Sequence, residues 1–380
     1  MRASGPDIRI AVMLAFETYR GARARRVFTP DALLEYLVAK PDNVGLLVAD
    51  APRSVLQHAK RMLSSPGQRR HRPVAHVAPI RLGRHDPVDF AAAVASHGRA
   101  LRQVARAAAC RGLDRPLLLA THPFTAAAAA AADWAEIVYY GWDDWAAHPR
   151  FARWHEAINR SYDRIRDRNL RVVGVTSAIV ARIGSQAPGL VLSNGLHPDE
   201  WTDPTTEPTW LADAPRPRFL YCGAVNSRMD LKALEALDAA VPQGRILLLG
   251  DVEGSELRSA LAALKTVTLL SGRDREQVRA ANFACDVGII PHLDNALTRA
   301  MSPLKLYEYK AAGLPVVARD LEPIRSAGGA LLYSQPAEFV AQCLRAISEP
   351  PATETQRLDY IRENSWSRRF DELLAFLAQG

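Results

Sequence analysis

Residues 302–318 read SPLKLYEYKAAGLPVVA, and this stretch indicates a helix that is followed at once by a buried strand. Ser302 is a favoured N-cap residue, and Pro303 suits the first helical position, where its missing N–H is harmless. Ala312-Gly313-Leu314-Pro315 ends the helix and leads directly into the apolar strand Val316–Ala318. Such a tight return from helix to strand is typical of parallel α/β domains.

The start of this helix carries a charge of the unexpected sign. A capping box would place Glu or Gln at the third helical position, which here is Lys305. A cation near the positive end of a helix dipole is unfavourable by roughly 0.3–1 kcal/mol, whereas a bound diphosphate would reverse the sign. Glu308 lies on the same face, where its carboxylate could accept from two ribose hydroxyls. Two interpretations stay open, a nucleotide diphosphate site or a surface Lys–Glu pair on an ordinary helix.

Short apolar runs alternate with helical stretches along the chain, which indicates two successive parallel α/β domains. A polar, proline-rich stretch at 203–217 separates the two sets and is typical of an interdomain loop. We predict Rossmann-like domains at 1–195 and 196–365, followed by a helical segment at 366–380. The apolar runs are Ile8–Leu14, Val44–Ala49, Ala75–Ile80, Leu117–Ala120, Glu136–Tyr140 and Val172–Val175, then Arg218–Cys222, Arg245–Leu249, Val267–Leu269, Val287–Ile290, Pro315–Ala318 and Ala330–Tyr333.

Composition places the chain among globular proteins, because 48% of its 380 residues are hydrophobic. No apolar run is long enough for a signal peptide or a membrane span, so we expect a cytoplasmic protein. Its four cysteines are far apart and form no CxxC pair, which favours reduced core residues over a zinc site. These cysteines are Cys110, Cys222, Cys285 and Cys343.

Charge is distributed unevenly between the two halves of the chain. Residues 1–200 hold 28 Lys/Arg and 18 Asp/Glu, whereas residues 201–380 hold 20 and 23. Clusters at Arg20–Arg26 and Lys60–Arg72 indicate either a solvated Arg-rich surface or a face attracted to an anionic membrane or an anionic acceptor. No nucleic-acid-binding motif accompanies the charge, so nucleic acid is not expected as a partner.

With these residues in hand, the chain resembles the bacterial GT-B glycosyltransferase superfamily, in particular family four and the xanthan-type glucuronosyltransferases. Pro303–Ala318 is the most specific part and is similar to the family's donor-binding helix and return strand. Ser193-Asn194-Gly195 resembles the crossover into the second domain, although Ser193 and His197 depart from the pattern. Further similarity lies in Ile137–Trp145, Phe219–Gly223, Cys285–Pro291 and Trp366–Arg369.

The resemblance implies two Rossmann-like domains that face each other across a cleft, with a C-terminal helix crossing back to the N-terminal domain. It implies that the first domain binds the acceptor and the second a nucleotide-sugar donor. Glu308 would hold the ribose, Lys305 and the Ser302 region the diphosphate, and the Arg273 loop the base. Ala300 stands where many family-four members carry a Glu that contacts the sugar, so that role is not carried over. The donor-binding residues are Gly223, Arg228, Arg273, Met301, Ser302, Leu304, Lys305 and Glu308.

Candidates for the catalytic group follow the strand at residues 136–140. Retaining relatives usually carry a His there, whereas this chain has Asp143 and Asp144, one of which could act as general base in an inverting displacement. Alternatively, one Asp caps a helix and the other is solvated, or the pair binds a metal. His122 also follows a predicted strand and is either catalytic or structural.

These observations predict a metal-independent glycosyltransferase that needs no cofactor beyond its donor. It would move a hexosyl or uronosyl unit from a nucleotide sugar, with UDP favoured, to a cell-envelope, exopolysaccharide or secondary-metabolite acceptor. The acceptor could be a glycan, a lipid-linked molecule or a small molecule, and the basic half could touch the inner face of an anionic membrane. A nucleotide-sugar epimerase or phosphorylase is the alternative enzyme, and a non-catalytic membrane-surface or polyanion binder is the third class.

Overall fold

The structure is a computed structural model of the chain, and it describes residues 8–13, 29–40, 44–57, 59 and 75–379. The chain divides into two compact units, Met1–Ser193 with Arg369–Gly380, and Asn194–Arg368. This division falls two residues before the predicted boundary after residue 195. The basic clusters Arg20–Arg26 and Lys60–Arg72 lie outside the described residues.

The first unit contains a parallel sheet with the strand order β4-β2-β1-β6-β7-β8-β9, and a separate parallel pair of β3 with β5. The interior strands β6 and β7 are buried along their whole length, whereas the edge strand β9 is largely exposed. Continuous apolar runs are expected in the interior of a sheet whose two faces are both covered by helices. The strands are β1 (Ile8–Met13), β2 (Val44–Ala49), β3 (Arg53–Ser54), β4 (Ala75–Val77), β5 (Ile80–Arg81), β6 (Leu117–Ala120), β7 (Ile137–Gly141), β8 (Arg171–Gly174) and β9 (Gly189–Val191).

The two longest described helices of the first unit, α2 (Phe90–Ala109) and α4 (His155–Asp167), each bury one side against the core. In the longest, α2, Asp89 caps the start by accepting from the Ala92 N–H at 2.8 Å, and Ala93, Ala100 and Val104 face the core. The helices are α1 (Thr29–Val38), α2 (Phe90–Ala109), α3 (Pro123–Ala128), α4 (His155–Asp167) and α5 (Ser177–Ile183), with 3₁₀ turns at Ala131–Asp133 and Pro149–Trp154.

The second unit contains a parallel sheet with the order β12-β11-β10-β13-β14-β15. Counted within the unit, this is the doubly wound order 3-2-1-4-5-6, which reverses direction between β10 and β13. Ligands of such sheets bind outside the carboxyl ends of the strands at this reversal. The strands are β10 (Arg218–Cys222), β11 (Arg245–Leu249), β12 (Val267–Leu270), β13 (Val287–Ile290), β14 (Val316–Arg319) and β15 (Leu331–Tyr333).

One helix of this unit, α11, packs closely on β13. A Cβ atom at Gly288 would lie 2.4 Å from the Tyr309 ring, so the missing side chain makes room for this aromatic residue. The Tyr309 hydroxyl then accepts from the Cys222 N–H at 2.8 Å, at the end of β10. The helices are α6 (Pro198–Trp201), α7 (Leu231–Ala240), α8 (Ser255–Ala262), α9 (Arg275–Ala284), α10 (Ala296–Arg299), α11 (Leu304–Ala311), α12 (Glu322–Ala327), α13 (Pro336–Ser348) and α14 (Glu354–Glu363), with a 3₁₀ turn at Thr209–Leu211.

The last helix, α15 (Trp366–Leu377), begins in the second unit and ends in the first. Its C-terminal part is held within the first unit by Lys40, whose ammonium donates to Asp371 at 2.6 Å, and by Arg171, whose guanidinium lies 3.9 Å from the centre of the Phe376 ring. The described ranges contain no helix long and apolar enough to cross a membrane.

Candidate functional site

The reversal point of the second sheet is open at Gly223, directly after β10. Gly223 has φ +120°, and a Cβ atom there would lie 3.5 Å from the Lys305 Nζ. The loop after β11 packs against it so tightly that a Cβ at Gly250 would lie 2.1 Å from the Gly223 carbonyl oxygen. Both positions therefore require glycine, and the backbone rather than a side chain lines the space in front of Lys305.

Two cations lie at this edge of the sheet without a carboxylate partner among the described residues. The Lys305 ammonium lies 4.2 Å from the centre of the Tyr221 ring. Arg228 donates through Nε to the Asn226 side-chain oxygen at 3.0 Å and through Nη1 to the Met301 sulfur at 3.4 Å. An anion brought to this edge would therefore meet positive charge that no carboxylate in the described part of the chain pairs with.

A buried histidine that the sequence analysis did not single out lies beside these cations. His292 follows β13, is buried and pairs with the Tyr221 hydroxyl at 3.3 Å. Burial, together with the positive charges of Lys305 and Arg228, holds the pKa of His292 well below its usual value. The ring therefore stays neutral beside the two cations. The sequence contained one signal for His292, because this residue comes directly after the predicted strand Val287–Ile290 and Pro291.

The start of α11 differs from the prediction. The helix begins at Leu304, whose side chain is half-buried. Its cap residue is Pro303, which makes no side-chain capping hydrogen bond. Ser302 is therefore not the N-cap that its residue type suggested. Its hydroxyl instead accepts from the Asn194 N–H at 3.1 Å and lies 3.3 Å from the Tyr307 hydroxyl, which fixes the chain just before the helix.

Glu308 lies one turn beyond Lys305 and has an unexpected partner. It is 7% exposed, and its carboxylate accepts from the Arg275 Nη1 at 2.5 Å, while Arg275 also donates to Glu200 at 2.7 Å. Burial alone would lower the pKa of Arg275, but the two carboxylates raise it, so the guanidinium stays charged. Arg275 was missed by sequence reasoning, because it begins an ordinary capped helix 33 residues before Glu308.

Arg273 was predicted to lie in the loop that binds the base. Its guanidinium carbon lies 4.7 Å from the centre of the Trp210 ring. Arg273 therefore lies over the Trp210 ring, just before the start of α9. The contact of the Arg273 loop with the nucleotide base stays a prediction.

In the first unit, Asp143 and Asp144 follow β7 as predicted, but their environments differ. Asp144 is 2% exposed and faces the Arg182 Nη1 at 2.8 Å. It also accepts from the Ala146 N–H at 3.1 Å. Asp143 is half-buried, and one of its oxygens accepts from the Asp144 N–H at 2.8 Å. Of the two, Asp143 is the carboxylate that the structure leaves more accessible.

His122 follows β6 and caps α3 with its ring. Its Nδ1 accepts from the Phe124 N–H at 3.1 Å, which places the ring proton on Nε2. The ring is stacked on His97 with 5.1 Å between centroids, and burial lowers the pKa of His122 to about 3. The neutral ring is therefore suited to donate a hydrogen bond rather than to act as a base.

The second unit matches a known family of enzymes. Residues 216–349 match the family Glycosyl transferases group 1. TuaH of Bacillus subtilis, named as a teichuronic acid biosynthesis glycosyltransferase, is 23% identical over 165 residues, which cover 41% of this chain and 42% of TuaH. The similarity therefore spans less than half the length of that relative.

Solved structures of the same fold cover nearly the whole chain. The α,α-trehalose 6-phosphate synthase of Burkholderia multivorans has a TM-score of 0.64 at 13% identity, covering 99% of both chains. The E. coli trehalose-6-phosphate structure bound with UDP-2-fluoro glucose has a TM-score of 0.63 at 14% identity, covering 98% of this chain and 99% of that one. Anabaena HepE in complex with UDP has a TM-score of 0.62 at 15% identity, covering 98% and 100%. The predicted α/β fold of the GT-B type is confirmed, and the match to the family Glycosyl transferases group 1 lies in the second unit, at residues 216–349.

Proposed function

We propose that the chain transfers a hexosyl or uronosyl unit from a UDP-sugar, held by the second unit, to a carbohydrate-containing acceptor. The observation that carries this proposal is the pair of cations Lys305 and Arg228 beside Gly223, at the reversal point of a doubly wound sheet. Two structures with the same fold contain UDP or a UDP-sugar, which supports a UDP-type donor.

The leaving group of such a transfer is the nucleoside diphosphate, which gains negative charge as the glycosidic bond breaks. Lys305, Arg228 and the N-terminus of α11 are positioned to stabilise that charge before the reaction starts. The reaction we propose therefore needs neither a metal ion nor a cofactor. Glu308 accepts from the ribose hydroxyls, and Arg275 orients its carboxylate.

The acceptor belongs to a cell-envelope polysaccharide, an exopolysaccharide or a secondary metabolite. The name of TuaH, which refers to teichuronic acid biosynthesis, supports a polysaccharide acceptor. Asp143 serves as the general base that takes the proton from the acceptor hydroxyl, in a displacement that inverts the anomeric centre. We further propose that the basic first half of the chain contacts an anionic membrane surface.

Calorimetric titration with UDP tests the donor site. We expect Lys305→Ala and Glu308→Ala each to weaken UDP binding by about tenfold or more, because each removes a charge-assisted contact worth roughly 1.5–3 kcal/mol. Lys265→Ala is the matched control, because Lys265 is exposed and precedes β12, at the opposite edge of the same sheet. Its UDP affinity should equal that of the unaltered protein.

Equal UDP affinity in all four proteins would contradict the proposed donor site. Turnover distinguishes the alternatives: a transferase releases UDP from a UDP-sugar only when an acceptor is added. An epimerase changes the sugar without releasing UDP, and a phosphorylase needs phosphate. A non-catalytic binder gives no donor turnover under any of these conditions.

A further inference from the structure

A second polar pocket lies within the first unit, at the carboxyl ends of its strands. It has a volume of about 210 Å³ and is lined in part by Arg53, Arg81, Arg84, Asp86, His97 and His122. Arg53 and its neighbour Pro52 follow β2 closely, and His122 follows β6, so the pocket lies at the sheet edge where α/β domains bind ligands. We call it the Arg53 pocket.

Most of its polar groups are already paired, and they form a rigid frame. Arg81 forms an ion pair with Asp86, and His97 lies 3.1 Å from the same carboxylate. The other ring nitrogen of His97 lies 2.9 Å from the Thr125 hydroxyl. These contacts link the loop after β5 to helices α2 and α3. Both contacts of Asp86 are made by its Oδ1, and Asp86 also lines the pocket.

Arg53 stands apart from the frame. Its side chain has no hydrogen-bond acceptor and no carboxylate among the described residues, and its Nε is buried. The Nε of Arg81, whose side chain is 10% exposed, is also buried without an acceptor. Two guanidinium N–H groups of one pocket thus lack the acceptor that a buried donor requires.

The pocket carries a net positive charge. Arg53, Arg81 and Arg84 face a single carboxylate, Asp86, so the lining residues carry an excess of positive charge. His122 adds a neutral ring, whose Nδ1 accepts from the Phe124 N–H. Planar guanidinium groups bind phosphate and carboxylate through paired hydrogen bonds. A cavity of about 210 Å³ has room for an anionic group with part of a sugar ring.

We propose that the Arg53 pocket binds the anionic group, a phosphate or a carboxylate, of the glycosyl acceptor, an inference that rests on the proposed function. The acceptor is thus a sugar phosphate or a uronic acid rather than a neutral sugar. Arg53 is the specificity-determining residue, and the frame of Arg81, Asp86 and His97 holds the loop that completes the pocket.

Calorimetry on the full chain tests this with glucose 6-phosphate, glucuronate and neutral glucose as probes. We expect at least one anionic probe to bind at least tenfold more tightly than glucose. Arg53→Ala should weaken that binding by about tenfold or more, and it removes no hydrogen bond or ion pair among the described residues. Arg99→Ala removes the same charge from an exposed position on α2 and should leave the affinity unchanged. Equal affinities for all three probes, or equal affinity in Arg53→Ala, would overturn the proposal.

UDP titration of the same proteins separates this inference from the proposed function. UDP affinity should be the same in the unaltered protein, Arg53→Ala and Arg99→Ala, because Arg53 belongs to the other unit. UDP binding without selective binding of an anionic probe would overturn the inference alone. Selective binding of an anionic probe without any UDP binding would overturn the proposed function and with it the role of this pocket as an acceptor site.

Discussion

Asp143 and Asp144 are adjacent in the chain, yet only one of them suits the proposed transfer of a proton. Asp144 accepts from Arg182, from the Ala146 N–H and, at 3.4 Å, from the Tyr162 hydroxyl. A buried carboxylate that is paired in this way has little access to a substrate. Asp143 is half-buried and receives the Asp144 N–H. We therefore assign the proposed role of general base to Asp143.

Substitution by asparagine separates a chemical role from a structural one. We expect Asp143→Asn to lower kcat by at least ~10²-fold with unchanged UDP affinity, because a general base typically contributes about 10²–10⁴-fold to the rate. Asp144→Asn should chiefly lower the free energy of unfolding, by about 1–3 kcal/mol, since it removes the charge that Arg182 pairs with. Steady-state kinetics and urea denaturation measure the two effects.

The anomeric configuration of the product gives an independent check on Asp143. Proton NMR of the product of an α-linked donor should show a β linkage, because direct displacement inverts the centre. An α-linked product would mean that Asp143 is not the base of a single displacement, even if the Asn variant were inactive.

At the scale of secondary structure, α11 carries the two residues that define the proposed donor site. Its position depends on β13, where the absent side chain of Gly288 admits the Tyr309 ring, and on the Cys222 N–H, which donates to the Tyr309 hydroxyl. Lys305 and Glu308 lie on the same short helix. Any shift of Tyr309 would therefore move both groups relative to Gly223.

Gly288→Ala tests this dependence. The added Cβ would lie 2.4 Å from the Tyr309 ring, so we expect the helix to shift and the free energy of unfolding to fall by about 1–3 kcal/mol. UDP affinity should fall as well. Gly98→Ala is the control, because its Cβ would meet nothing closer than 3.8 Å and a helical alanine is favoured over glycine. Unchanged unfolding midpoints and UDP affinity in Gly288→Ala would show that α11 is placed by other contacts.

The sequence was sufficient to predict the elements that depend on local patterns. The buried runs Leu117–Ala120 and Arg218–Cys222 are β6 and β10, as predicted. The start of α11 was placed too early, because the Ser302 side chain bonds to Asn194, 108 residues away, instead of capping the helix. Local pattern rules contain no information about such a distant partner.

The same limit applies to the candidate sites. Residue type and position in the motif were enough to single out Lys305 and Glu308. The partner of Glu308, Arg275, and the unpaired Arg53 depend on which loops the fold brings together. Arginine is frequent in this chain, so composition alone could not distinguish these two residues from the others.

Across the whole molecule, the net positive charge lies in the first half of the chain, and most of the large exposed apolar side chains among the described residues lie there too. Residues 1–200 have 28 basic and 18 acidic side chains, an excess of +10, whereas residues 201–380 have 20 and 23, or −3. Large exposed apolar residues lie beside the short β3–β5 pair, with Leu82 at 92% and Leu56 at 82% exposed. Positive charge next to exposed apolar side chains is the combination that favours an anionic lipid surface.

Vesicle binding tests the proposed membrane contact, because its two physical sources respond to different changes. We expect sedimentation with vesicles that contain an anionic lipid and much less with phosphatidylcholine alone. Binding should weaken as salt rises, since the screening length falls from about 10 Å at 0.1 M to about 3 Å at 1 M ionic strength. Leu82→Ser should weaken binding at every salt concentration, because it removes an apolar contact rather than a charge. Leu344→Ser alters a residue that is 47% exposed in the second unit and should have no effect. Equal binding to neutral and anionic vesicles would show that the basic excess is an ordinary solvated surface. An equal loss of binding in Leu82→Ser and Leu344→Ser would show that the first unit is not the part that contacts the membrane.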